Sequence, residues 1–111
     1  MYHVNTHVFN DDFSGLSWAP GVSGVLFVHA DWCGHCQNMM IAINAAAVAV
    51  HSDQSGMIIA INETAVSTEA KQTLQINGFP TLLLFDENGT FTGPHQGART
   101  EASLIAAASG N

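Results

Sequence analysis

At 111 residues and 47% hydrophobic, the chain is long enough for one domain (residues 1–111) with its own core and too short for two. Nine acidic residues against two basic ones, Lys71 and Arg99, give a formal charge of -7. Such a surface repels phosphate backbones and anionic lipid, so neither nucleic acid nor membrane is expected as a partner.

The opening MYHVNTHVFNDDF has neither a basic flank nor an apolar stretch suited to a secretory signal. The longest apolar region, about residues 39–50, is broken by Asn44 and falls short of the roughly 20 residues that span a bilayer. Read literally, this predicts a soluble, cytoplasmic chain, and a monomer is expected. Val4 to Phe9 alternates loosely, which predicts a short edge strand. Asn10-Asp11-Asp12 offers an N-cap for a short helix running toward Trp18, closed by Ala19-Pro20-Gly21. Gly24 to Ala30 is apolar without alternation, the mark of a strand buried on both faces.

A helix is predicted from about Cys33 to His51, where Met39, Met40, Ile43, Ala46, Ala47 and Val50 recur at helical spacing. It is apolar nearly all round, so cover on more than one side is expected. Met57 to Ile61 reads as a second buried strand, Thr64 to Ile76 as a helix, and Thr81 to Phe85 as a third strand. Glu87-Asn88-Gly89 carries an Asn-Gly hairpin signal, so Thr90 to Thr92 should return antiparallel. Thr100 can cap a last helix carrying Leu104, Ile105 and Ala108, with Gly110 as its stop. Crossover units followed by a hairpin define an α/β fold, a mixed four- to five-stranded sheet with helices on both faces.

The two cysteines, Cys33 and Cys36, sit three apart between a buried strand and a long helix. A bridge between them closes a tiny loop and adds little stability, which favours chemistry over scaffolding. Cys33 falls at the helix N-terminus, where free N–H groups and the helix dipole favour a thiolate; Cys36 lies a turn further along and deeper. Lowering a thiol pKa from about 8.5 to about 7 takes roughly 2 kcal/mol. A dipole supplies about 0.3–1 kcal/mol, so the Cys36 thiol and the His35 ring are the nearest additional contributors. Cys33 then attacks a substrate disulfide, and Cys36 resolves the mixed disulfide by attacking Cys33. No cofactor is required. A zinc site is disfavoured, because His29 and His35 could complete the ligand set only by distorting the strand–helix turn.

VLFVHADWCGHCQNMM resembles the active-site segment of thioredoxins and protein disulfide isomerases, with His35 where most thioredoxins carry proline. Gly78-Phe79-Pro80-Thr81-Leu82-Leu83-Leu84-Phe85 looks like the second signature of that family, whose proline is cis and faces the cysteines. Gln96-Gly97-Ala98 matches a later glycine of the same surface. The resemblance covers essentially the whole chain and implies a thioredoxin fold. It also implies a thiol-disulfide oxidoreductase acting on protein disulfides or dithiols, served by a reductase or oxidase as electron partner. Cys33 is then the nucleophile and Cys36 the resolving thiol, with Gly34 and His35 tuning the redox potential. Trp32, Phe79, Pro80 and Gly97 form the substrate-binding rim. The alternative is a non-catalytic subunit that docks a partner through the same surface.

Three positions depart from the family pattern. Phe27 stands where most members carry a buried acid, the group that serves the proton of the resolving cysteine, so resolution is expected to be slow or to use water. His29 replaces a common aromatic and reads as a partly buried, hydrogen-bonded strand histidine in preference to a substitute proton carrier. Ile41 replaces a helix proline, which predicts a straighter helix. His35 between the cysteines favours the reduced form and a more oxidising disulfide than that of a typical thioredoxin. The histidines His3, His7, His51 and His95 are read as surface residues.

Overall fold

Residues 24–29 form the central strand, and everything around the cysteines is positioned from it. The computed structural model describes residues 1–110. The strands are β1 (Tyr2–Val4), β2 (Gly24–His29), β3 (Met57–Asn62), β4 (Thr81–Phe85) and β5 (Phe91–Pro94). They form one sheet in the order β1-β3-β2-β4-β5, with β1 and β2 both parallel to β3. On the other side of β2, β4 pairs antiparallel with it and β5 antiparallel with β4. The helices are α1 (Gly34–Ser52), α2 (Thr68–Thr73) and α3 (Glu101–Ala108).

Strand alternation sorts the core into two layers. Val25 and Phe27 of β2, Ile58 and Ala60 of β3 and Leu82 of β4 face α1 and α3. Leu26, Val28, Ile59, Ile61, Leu83 and Phe85 face the other way, against Val8, Phe9, Leu16, Val66, Ala70 and Ile76. The start of β2 needs glycine: a Cβ at Gly24 would collide with the Met57 carbonyl and the Phe85 ring. The β4–β5 turn depends on Gly89, whose φ is +87° and whose missing Cβ leaves room for the Trp18 carbonyl.

β2, α1, β3, β4, the hairpin and α3 lie where expected, with Thr100 accepting a hydrogen bond from the Ser103 N–H as the cap of α3. Three expectations are corrected. The first strand ends at Val4, because the Asn5 side chain accepts from the His7 N–H and turns Thr6–Val8 into a single 3-10 turn. No helix follows Asn10-Asp11-Asp12. Instead Asp12 accepts from both the N–H and the hydroxyl of Ser14, and Phe13 takes a left-handed conformation at φ +60°. Both features serve a turn, and Phe9 and Leu16 then pair across it as an isolated bridge. The Thr64–Ile76 segment splits into a 3-10 turn, Glu63–Ala65, and the short α2, which Ser67 caps through the Ala70 N–H.

Helix α1 is continuous through Ile41. Its inner face buries Cys36, Met39, Ile43, Ala46, Ala47 and Val50, while Ile41 and Val48 on the outer face are exposed. The cover expected on more than one side is therefore not present on that side. Among the described residues no helix is long and apolar enough to cross a membrane.

Candidate active site

β2 ends at His29, at one end of the sheet, and Ala30-Asp31-Trp32 turns the chain into α1. The turn is closed by the Cys33 N–H donating to the Ala30 carbonyl at 3.1 Å. Cys33 is the N-cap of α1, with φ -89° and ψ 107°, and its Sγ accepts from the Cys36 N–H at 3.0 Å. A sulfur thus occupies the capping place usually taken by a Ser or Asp oxygen, meeting one of the free N–H groups of the first turn. Cys33 and Cys36 are bonded as a disulfide, with Cα atoms 5.2 Å apart.

The expected difference in exposure between the two cysteines is absent: Cys33 is 4% and Cys36 3% exposed. Each sulfur covers one side of the other in the bonded state. What separates them is position on the helix. Cys33 lies before its first turn, at the positive end of the dipole, and Cys36 lies within it.

Trp32 is 72% exposed beside this pair, and its ring meets Phe79 edge-on with centroids 5.7 Å apart. Phe79 is half-buried and packs against both core layers, and the Phe79–Pro80 peptide bond is cis. The Thr81 hydroxyl donates to the Gly78 carbonyl at 2.6 Å and closes the loop in front of β4. Gly34 and His35 are both exposed on the first turn of α1. The structure thus brings Trp32, Phe79 and the cysteine turn to one end of the sheet. Gly97 does not join Phe79 and Pro80 in their groove; it lines another one, with Leu84, Ala98 and Ala107. Gln96 is the residue of that loop that shares the groove of Phe79 and Pro80.

Phe27 is fully buried and stacks on the His29 ring at a centroid distance of 5.4 Å. His29 is half-buried, and its Nε2 is buried without a hydrogen-bond partner among the described residues, which corrects the bonded strand histidine expected there. Burial holds its pKa below the usual 6.5, the nearby His3 ring acts in the same direction, and Asp31 opposes both. Of the histidines read as surface residues, His3 and His7 are exposed. His51 and His95 are half-buried, held at the Ile58 backbone and the Ala98 carbonyl respectively. Among the described residues no group of three or more His, Cys, Asp or Glu side chains is placed to hold a metal ion.

A mixed five-stranded sheet with a Cys-x-x-Cys disulfide capping its long helix, beside a cis-proline loop, defines the class of thioredoxin-fold domains. The chain belongs to the thioredoxin family: the family model described as "Thioredoxin" matches residues 10–109. Among curated relatives it is 30% identical over 98 residues to "Protein disulfide isomerase-like 1-1" of Arabidopsis thaliana, covering 88% of this chain and 19% of that one. It is 35% identical over 84 residues to "Protein disulfide-isomerase A5" of Mus musculus, covering 75% of this chain and 16% of that one. The chain therefore spans less than a fifth of the length of these two relatives. Among solved structures, Fasciola hepatica thioredoxin superposes with a TM-score of 0.60 at 21% identity, covering 78% of this chain and 77% of that one. Form II of human ERp44 superposes with a TM-score of 0.72 at 16% identity, covering 95% of this chain and 28% of that one.

Proposed function

We propose that this chain is a thiol-disulfide exchange domain acting on protein disulfides and dithiols through Cys33 and Cys36. The observation that carries the reading is the disulfide at the start of α1, with the Cys33 sulfur at the cap position and the Cys36 N–H aimed at it. A thiolate at Cys33 is stabilised there by the first-turn N–H groups and the helix dipole. It attacks one sulfur of a substrate disulfide, forming a mixed disulfide and releasing the other sulfur as thiolate. Cys36 then attacks the Cys33 sulfur, the substrate leaves reduced, and the two cysteines are left oxidised. Run backwards, the same steps oxidise a substrate dithiol. A reductase or oxidase resets the pair according to the direction used.

The exposed Trp32 and the Phe79–Pro80 loop offer an apolar platform and a backbone edge for an extended substrate segment. His35, exposed on the first turn, supports a more oxidising pair than one with proline in its place. The reading is tested by incubating Cys36→Ser and Cys33→Ser with a disulfide-bonded protein and weighing the adducts. Cys36→Ser should trap a mixed disulfide at Cys33, and Cys33→Ser should trap little, with turnover abolished in both. Adducts mainly on Cys36 would overturn the assignment of the two roles. Unchanged partner capture by Cys33→Ser/Cys36→Ser, with no turnover in the unmodified chain, would make the domain a docking module.

A further inference from the structure

Resolution requires the Cys36 thiol to lose its proton, yet Cys36 is 3% exposed and Phe27, on the same face of the sheet, offers nothing ionisable. Strand alternation places His29 two residues beyond Phe27 on that face, toward the cysteine end. A cavity of about 210 Å³ there is lined by His29, Ala30, Asp31, Cys36, Gln37 and Met40. We propose that His29 is the proton-relay residue for Cys36, exchanging its proton through water in the cavity that the two side chains share.

This rests on the exchange reading above and assigns one further residue to it. A buried imidazole nitrogen left unsatisfied, as Nε2 is among the described residues, costs about 1–3 kcal/mol. A water molecule needs roughly 10–15 Å³ and two to four polar partners. The cavity exceeds that volume many times over, and His29, Asp31, Gln37 and Cys36 supply the partners. The groups facing His29 are few. From β1 the His3 ring meets it edge-on at 6.0 Å, and beyond β2 stands Asp31, whose Oδ1 accepts from Asn62 at 2.8 Å. From β3 the residue in register with His29 is Asn62, which does not titrate, and from α1 it is Cys36 that shares the cavity. Burial and His3 keep the imidazole neutral near neutral pH, in the form that accepts a proton.

In the resolving step the Cys36 S–H proton passes through water in the shared cavity to the His29 imidazole, giving imidazolium and thiolate. The thiolate electron pair forms the Cys36–Cys33 bond while the bond from Cys33 to the substrate sulfur breaks. The substrate departs as thiolate and imidazolium returns the proton to it or to solvent. The dithiol is oxidised by two electrons and the substrate disulfide reduced by two. In the opposite direction His29 returns a proton to Cys36.

The reduced chain is mixed with an equimolar aryl disulfide whose freed thiolate is coloured. The first colour phase reports attack by Cys33 and the second reports resolution by Cys36, and both are followed across pH. In the unmodified chain the second phase should fall below the titration of His29 and level off above it. In His29→Asn and His29→Phe it should slow by tenfold or more at neutral pH and climb about tenfold per pH unit, as hydroxide replaces the relay. The first phase should keep its amplitude. An unchanged second phase in the variants, or one slowed equally at every pH, overturns the relay alone. No coloured phase in the unmodified chain overturns the exchange reading and the relay with it. Should both variants unfold, the unmodified profile decides: a plateau supports the relay and a tenfold climb per unit overturns it.

Discussion

The two faces of the sheet do different jobs with the same kind of apolar material. The face covered by α1 and α3 holds Phe27, Ile58, Leu82 and Leu104, but it also carries both cysteines. At its open end, stacked on Phe27, stands His29. The opposite face packs Leu26, Ile59, Leu83 and Phe85 under the 8–16 loop and the α2 region, with no cysteine or histidine among its buried residues. One face is a core that ends in the cysteine pair, and the other is a core only. The cysteines sit where the long helix begins, and Cys36 lines the cavity that His29 also lines.

Phe27 and Phe85, both fully buried, lie on opposite faces and make that comparison breakable. Phe27→Ala and Phe85→Ala should each cost about 3–5 kcal/mol in urea unfolding, through lost burial and the cavity left behind. Their effects on chemistry should differ. Phe27→Ala removes the ring on which His29 stacks, so the rate of resolution by Cys36 should change in the folded molecules. Phe85→Ala should leave that rate alone. Equal effects on resolution from the two variants would erase the distinction between the faces.

Legibility in the sequence follows the same division. The uninterrupted run Gly24–His29 and the helical recurrence from Met39 to Val50 place β2 and α1, because long apolar patterns leave the chain few ways to bury them. The cysteine pair lies between those two elements, whereas Trp32 and the Phe79–Pro80 loop come from the resemblance to thioredoxins and protein disulfide isomerases. The 10–18 segment misleads because the same Asn and Asp that cap helices also close turns. What decides is tertiary: Leu16 N–H donates to the Gly89 carbonyl at 2.7 Å and Phe91 N–H to the Ser14 carbonyl at 2.9 Å. No local signal contains those bonds. His29 is a different kind of miss. A lone strand histidine reads by default as a satisfied one, and only the folded chain reveals Nε2 buried without a partner among the described residues. A β2 apolar on both faces except for one terminal histidine was the available hint.

His35→Pro sharpens the comparison within the reactive face, between the residue in the cysteine loop and the one behind it. His35 is exposed on the first turn of α1, where it can act on the Cys33 thiolate through space without a packing role. Replacing it should make the redox potential more negative by some tens of millivolts, within the roughly 90 mV that separates thioredoxin from the isomerase. About 30 mV corresponds to 1.4 kcal/mol for this two-electron couple. A titration against glutathione reads the shift directly. A potential that stays put or rises would remove His35 from the tuning of the pair.

The smallest expected effect is on stability, and it isolates the half-buried imidazole itself. His29 titrates below 6.5 in the folded chain because burial disfavours its cation and His3 adds to that, with Asp31 acting against them. The unfolded chain therefore takes up this proton first as pH falls, and in that interval it binds more protons than the folded one. The contribution of His29 to stability is complete above pH 6.5 and is lost as pH drops through the lower folded value. His29→Phe removes the titration while keeping a ring on Phe27, so it shifts the baseline but flattens the dependence. Urea unfolding of the two chains at about pH 7.5 and about pH 5 should show the unmodified chain losing more stability on acidification than the variant. A variant that loses as much as the unmodified chain would mean that His29 titrates alike in the folded and unfolded states. The neutral imidazole would then owe nothing to its position behind Cys36.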